Sequence, residues 1–126
     1  MSQTPHQRAE AELTAFGLTF PETSSEPAWQ TTRGLYVRKK MFAVFGENAQ
    51  PLNALTIILK LPVSAEMAEV LPFVRPAKGW YKLHHWVTAH FNASDDILAE
   101  MDTLRSWLAQ SYIAVAPKKL GRMLPA

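Results

Sequence analysis

Apolar positions recur along this chain with two different periods, and the switches between them divide it into elements. Near the start, Ala9, Leu13 and Phe16 fall at i, i+4 and i+7 of an otherwise polar stretch, the spacing of one buried helix face. Thr4-Pro5-His6-Gln7 marks where that helix begins: a Thr cap, Pro at the first helical position and Gln three residues after the cap. Gly17 reads as its C-terminal stop. Residues 21–27, Pro21 to Pro27, read as a loop by composition.

The period then shortens. Leu35–Arg38 and Met41–Phe45 are rich in β-formers and are joined by Lys39-Lys40, which predicts a hairpin. Neither Lys favours positive φ, so the type of turn stays open. A third strand is expected over Ala54–Leu61, stopped by Pro62. Ser64 is read as the cap of a short helix running through Met67, Val70 and Leu71, and Pro72–Gly79 as irregular. His84–Phe91 alternates as a strand. Ser94 or Asp95 should then cap the longest helix, with Ile97, Met101, Leu104 and Leu108 on its core face and Asp95 and Asp96 suiting its dipole. Ser111–Pro117 either extends that helix or begins another, and a basic tail follows over about 117–126.

Strands grouped between helices, rather than alternating with them, predict an α+β fold: an antiparallel sheet covered on one face by the N- and C-terminal helices. The chain of 126 residues suits one domain over its whole length. Trp29, Trp86, Trp107 and Tyr112 are assigned to its core, since buried aromatics dominate the packing of small domains.

Composition narrows the picture. With 48% hydrophobic and 19% charged residues the chain falls in the ordinary globular range. There is no Cys, which removes disulfides, thiolate metal sites and a cysteine nucleophile, and fits a cytoplasmic location. The first twenty residues show no secretory signal, and no stretch approaches the ~20 apolar residues that span a bilayer, so a soluble protein without membrane partners is expected. The net charge of +2 is unevenly spread. Acids exceed bases over residues 1–32, the surplus of Lys and Arg falls on 33–90, and Lys118, Lys119 and Arg122 close the chain without an acid. Such asymmetry points toward a polyanionic partner.

Candidate chemistry is thin. His84 and His85 would point to opposite faces of a strand, and His84 and His90 would stand about 20 Å apart along it, too far for one ion. Asp96 with Glu100, and Asp95 with Asp102, share helix faces but read as a capped, solvated helix. No nucleophile elbow surrounds any Ser, and the five glycines are too scattered for a phosphate-cradling loop. No metal, no cofactor and no catalysis are expected. What stands out are cations interleaved with aromatics: Arg33, Tyr36, Arg38, Lys39 and Lys40, then Arg75, Lys78, Trp80, Tyr81 and Lys82. Cations neutralise phosphate, and aromatics stack on bases or wedge against sugars.

Several short motifs, in their order, resemble a known family. Phe20-Pro21-Glu22-Thr23, Pro27-Ala28-Trp29 and Val37-Arg38-Lys39-Lys40-Met41-Phe42-Ala43 look like the front of the MmcQ/YjbR proteins. His85-Trp86-Val87, an acid-capped helix, Ser111-Tyr112-Ile113-Ala114-Val115 and Lys118-Lys119 are similar to the family's closing strand and ending. The likeness runs from about Leu13 to Leu120. It implies a fold like the frataxin-related CyaY proteins, and DNA binding by a "double wing". One wing would lie at Arg38-Lys39-Lys40 and the other in the Arg75–Lys82 region, with Arg33, Lys118 and Lys119 adding phosphate contacts and Trp80 or Tyr81 contact area. The frataxin likeness also raises iron, but Glu10 and Glu12 at i, i+2 do not face one another and the following strands are basic. Three classes therefore stand: a non-catalytic DNA-binding domain, monomeric or weakly dimeric; a protein-interaction or homodimer module; and a small-ligand binder or unrecognised enzyme.

Overall fold

In the computed structural model, which describes residues 4–27, 32–46, 54–75, 83–92 and 94–124, the expected capping box closes. The Thr4 side chain accepts from the Gln7 N–H at 3.1 Å, and the Gln7 side chain accepts from the Thr4 N–H at 3.0 Å. Helix α1 (Pro5–Gly17) follows, burying His6, Ala9, Leu13 and Gly17 at helical spacing. Phe16 is only half-buried. The helix ends at Gly17, but not because glycine takes a left-handed turn there, since Leu18 caps it in right-handed geometry. A Cβ on Gly17 would lie 2.6 Å from Leu35 Cδ1, so the missing side chain lets the helix press onto the sheet. His6 ties the same helix to the far side of the fold, its Nε2–H donating to the Asn92 carbonyl at 2.9 Å.

Six strands form one antiparallel sheet in the order β1-β2-β3-β4-β6-β5. They are β1 (Thr23–Pro27), β2 (Arg33–Val37), β3 (Lys40–Phe45), β4 (Leu55–Lys60), β5 (Val74–Arg75) and β6 (Trp86–Phe91). Two were missed in the sequence. Thr-Ser-Ser-Glu-Pro has no apolar face, so its composition predicts a loop where β1 forms, yet an edge strand needs only one neighbour and tolerates a Pro at its end. β5, two residues long, lies at the other edge inside the stretch read as irregular. β6 begins at Trp86, so the face-alternation argument does not reach His84 and His85, and His85 has a positive φ of 64°.

The core rows run straight across the sheet. Leu35, Ala43, Leu59 and Val87 are successive register partners, as are Phe45, Ile57, Ala89 and Val74. All eight are buried. Residues 97–100 form a 3-10 turn that leads into α3 (Met101–Val115), which packs on β3 and β4 while α1 packs on α3. Ile97, Met101, Leu104 and Leu108 are buried as their spacing requires, and each fully buried side chain of this size contributes roughly 1.5–3 kcal/mol. The strip from Ser111 thus extends the helix. Asp95 does not cap it: its carboxylate accepts from the Asn92 N–H at 2.7 Å and closes the turn before it.

The outcome is the expected α+β class, an antiparallel sheet with the N- and C-terminal helices on one side. Helix α2 (Ala65–Ala68) departs from its reading. It makes a single turn that buries Ala68, while Met67 and Val70 are 76% and 82% exposed, and the Ser64 hydroxyl donates to Gln110 Oε1 instead of capping. The basic tail holds a short α4 (Lys118–Gly121), pinned by the buried Leu120.

Candidate nucleic-acid interface

The β2–β3 hairpin turns on two residues, Arg38 and Lys39, and Lys40 already pairs with Val37 as the first residue of β3. Both tip residues hold positive φ, 47° and 74°. That is the signature of a type I′ turn, whose twist suits a hairpin but which normally recruits Asn or Gly. The tip is therefore one residue earlier than the sequence suggested, and it is strained. A third positive φ, 58°, falls at Glu22 on the neighbouring turn into β1.

Those strained positions hold one another. The Arg38 N–H donates to the Glu22 carbonyl at 3.3 Å, and its guanidinium donates from Nε to Oε1 at 2.9 Å and from Nη2 to Oε2 at 2.8 Å. Two parallel bonds fix orientation in a way one cannot. Hydrogen bonding from Arg38 holds the Glu22 carboxyl below its ordinary range, with the charges of Arg38 and Lys119 adding to the effect. Both partners are about half exposed, so the fork acts more on geometry than on stability.

Beneath the fork, Tyr112 of α3 donates its hydroxyl to the Pro21 carbonyl at 2.7 Å. Its ring centroid lies 5.0 Å from that of Phe20 and 5.4 Å from that of Phe42. Burial pushes the Tyr112 hydroxyl pKa up, and the Glu22 charge pushes it the same way. Phe42 is the extra residue of a β-bulge: Leu35 pairs with Ala43, and Tyr36 with Met41. Beyond the Ala43–Leu59 pair the ladder between β3 and β4 stops, and the Ser111 hydroxyl bridges the gap. It accepts from the Lys60 N–H at 2.9 Å and donates to the Phe42 carbonyl. Ser111 thus satisfies two backbone groups that a regular ladder would have paired.

The splayed strands leave a cleft of about 500 Å³ lined by Lys40, Met41, Lys60, His84, Trp86, Ala114 and Val115. Lys60 and Trp86 are register partners on β4 and β6. Of the cations singled out in the sequence, Arg38, Lys39 and Lys40 form the hairpin tip, and Lys119 on α4, next to Lys118, carries a charge that reaches Glu22. Among the described residues no carboxylate pairs with Lys39, Lys40, Lys60 or Lys118.

Two others lie elsewhere. Arg33 opens β2 at its far end, donates to the Ser25 carbonyl at 3.1 Å and faces Glu10. Arg75 sits on the opposite edge strand, in a hollow of about 480 Å³ shared with Asp95, Asp96 and Glu100. Lys78, Trp80, Tyr81 and Lys82, and Trp29 with them, lie outside the described residues. Sequence reasoning missed Lys60 and weighed His84 only as a metal ligand. The one available signal was a lysine ending the apolar run 54–59, where a strand leaves the core.

The hollow around Arg75 holds a chain of side chains that looks like a relay. Thr56 Oγ1 lies 2.7 Å from His90 Nδ1, and His90 Nε2 lies 3.0 Å from Asn92 Oδ1. Thr56 is 2% exposed, which closes its hydroxyl to a substrate. Among the described residues no cluster of three or more His, Asp or Glu could hold a metal ion, and no helix is long and apolar enough to cross a membrane.

No curated protein matches the chain. The YjbR family model matches residues 18–114, which take in the Phe20–Glu22 turn, the hairpin with its bulge, the described cleft lining except Val115, and the Ser111–Tyr112 pair, and on that match the chain belongs to the YjbR family.

Proposed function

We propose that this protein binds DNA without catalysis, gripping phosphates with Lys39 and Lys40 of the hairpin, whose tip residue Arg38 braces against Glu22, and with Lys118 and Lys119. The observation that carries this reading is the meeting of two basic segments, about eighty positions apart in the chain, at one end of the sheet. The acid at that place, Glu22, is bound by Arg38 and so does not repel a phosphate as a free carboxylate would. The Arg38–Glu22 fork braces the tip, and a donor array held in place loses less entropy on binding. Arg33 and Arg75, each beside carboxylates, contribute little on this reading.

The test is the binding of duplex DNA by fluorescence anisotropy across a salt series. Each neutralised phosphate steepens the log–log slope by about 0.9, so three to five contacts give a slope of roughly −3 to −4.5. Affinity independent of salt would refute the proposal and favour the protein-interaction reading.

A further inference from the structure

The cleft between β3, β4, β6 and the end of α3 shares Lys40 with the backbone grip, but the rest of its described lining is not used by that grip. We infer that it is a binding site for a single nucleotide, a phosphate carried on a planar aromatic group, held apart from any duplex. The inference rests on the cleft's own lining and not on the duplex-binding reading.

Three features argue for it. The cleft is built into the fold: the bulge at Phe42 and the Ser111 bridge keep β3 and β4 apart where they would otherwise zip together. At about 500 Å³ it falls within the range of small-molecule sites, roughly 300–1,000 Å³. Its lining is also divided in kind. Lys40 and Lys60 are donors only, with no acceptor function, so the group between them must be an acceptor and is best an anion. His84 adds a further polar group at the same wall, and among the described residues no carboxylate lines it.

Among the described residues, the rest of the lining is Trp86, Met41, Ala114 and Val115. Trp86, 9% exposed, lines the cleft beside its register partner Lys60. An indole and a thioether favour a flat, polarisable partner over an aliphatic one. Inorganic phosphate would satisfy the lysines and leave that wall wet, whereas a nucleoside would fill the wall and leave the lysines without an anion. A nucleotide satisfies both. Two sources carry this chemistry: a free mononucleotide, or the phosphorylated end of a single strand.

The experiment follows the Trp86 indole N–H in a two-dimensional NMR spectrum of the whole chain, assigned by its loss in Trp86→Phe. The probes are adenosine monophosphate, adenosine, inorganic phosphate, and a short single strand with or without a 5′-phosphate. The expected result is a saturable shift with the monophosphate, at least about tenfold tighter than with adenosine or phosphate alone, as loss of a charge-assisted hydrogen bond or of the apolar contact predicts. Lys60→Gln should weaken it by roughly tenfold, with the rest of the spectrum reporting that the variant is folded. A shift with the monophosphate alone identifies the free nucleotide as the source; a shift with the 5′-phosphorylated strand alone identifies a strand end. No Trp86 response to either, or equal affinity for inorganic phosphate and the monophosphate, overturns the inference. Such a failure would leave salt-dependent duplex binding untouched, and Lys39→Glu tests that separately.

Discussion

Arg33 opens β2 and Arg38 follows its last residue, and each faces a glutamate. At the Arg38 end the pair is a fork: two short bonds to Glu22 hold the carboxyl below its usual range. At the Arg33 end burial governs instead, and raises the Glu10 carboxyl although the Arg33 charge pulls the other way. The same two residue types, at opposite ends of one strand, thus behave with opposite sign. The difference lies in what surrounds them. Glu22 is exposed and met head-on, so its hydrogen bonds dominate; Glu10 is partly covered by the fold and has only a distant cation. Around the fork lie Lys39 and Lys40, which pair with no carboxylate among the described residues, whereas around Arg33 lie Ser25 and Glu10. Arg38 therefore shapes the basic end more than it charges it.

If the fork depends on the aromatic bed below it, removing that bed should have the largest effect. Tyr112→Ala empties a fully buried site touching Phe20 and Phe42 and should cost about 3–5 kcal/mol in urea denaturation. Tyr112→Phe, which removes only the bond to Pro21, should cost about 1 kcal/mol. Equal losses from the two would mean that the hydroxyl, and not the ring, anchors the turn.

Next comes the charge contrast. Lys39→Glu combined with Lys40→Glu should weaken duplex binding by roughly tenfold or more at moderate salt and flatten the salt slope by about 2, while Arg33→Glu stays within about twofold. If Arg33→Glu matches the double variant, the two ends of β2 belong to one surface and the distinction drawn between them fails.

A smaller effect sharpens the same comparison. Lys39 holds a φ of 74° at a place where Gly or Asn would sit without strain. Lys39→Gly should stabilise the fold by about 1 kcal/mol, read as a shift in the denaturation midpoint at constant slope. It should also weaken duplex binding by removing a cation. Stability gained as binding is lost would show that the tip is kept strained for its charge. A destabilised Lys39→Gly would mean instead that the Lys stem packs in the turn.

How much of this was legible in the sequence depended on range. The capping box at Thr4 and the stripe from Ile97 to Leu108 are local patterns, and both formed. The strands with an apolar face, β3, β4 and β6, were legible for the same reason. β1 was not, because an all-polar edge strand carries no period and owes its existence to β2. The hairpin tip was displaced by one residue because no Gly or Asn marked it. At the site, the charge runs at Arg38–Lys40 and Lys118–Lys119 were plain to see. Their setting was not: Arg38 meets Glu22 across 16 positions, Ser111 meets Phe42 across 69, and Tyr112 meets Pro21 across 91. Contacts at such separation leave no local trace, so the fork, the bulge bridge and the cleft emerge only in the folded chain.

The subtlest consequence is in pH, and the signs differ between the two glutamates. Glu22 has a folded pKa below its unfolded value, near 4.3. It adds stability above that value, and the contribution disappears as pH falls through the lower folded pKa. Glu10 has a folded pKa above its unfolded value, so it favours the folded state at acid pH and loses that contribution as pH rises through the folded pKa. On acidification from neutrality, Glu10 should therefore release a small destabilisation first, and Glu22 should surrender its support only below about pH 4.3. Melting temperatures of Glu10→Gln and Glu22→Gln against pH separate the two. Glu10→Gln should stabilise at pH 7 and flatten the approach from neutral to pH ~4.3; Glu22→Gln should destabilise at pH 7 and flatten the fall below it. Because the fork is solvent-exposed, raising the salt should shrink the Glu22 effect while leaving the burial-driven Glu10 effect nearly unchanged. Profiles that move in the same direction for both variants would show that burial, and not the fork, controls the Glu22 end as well.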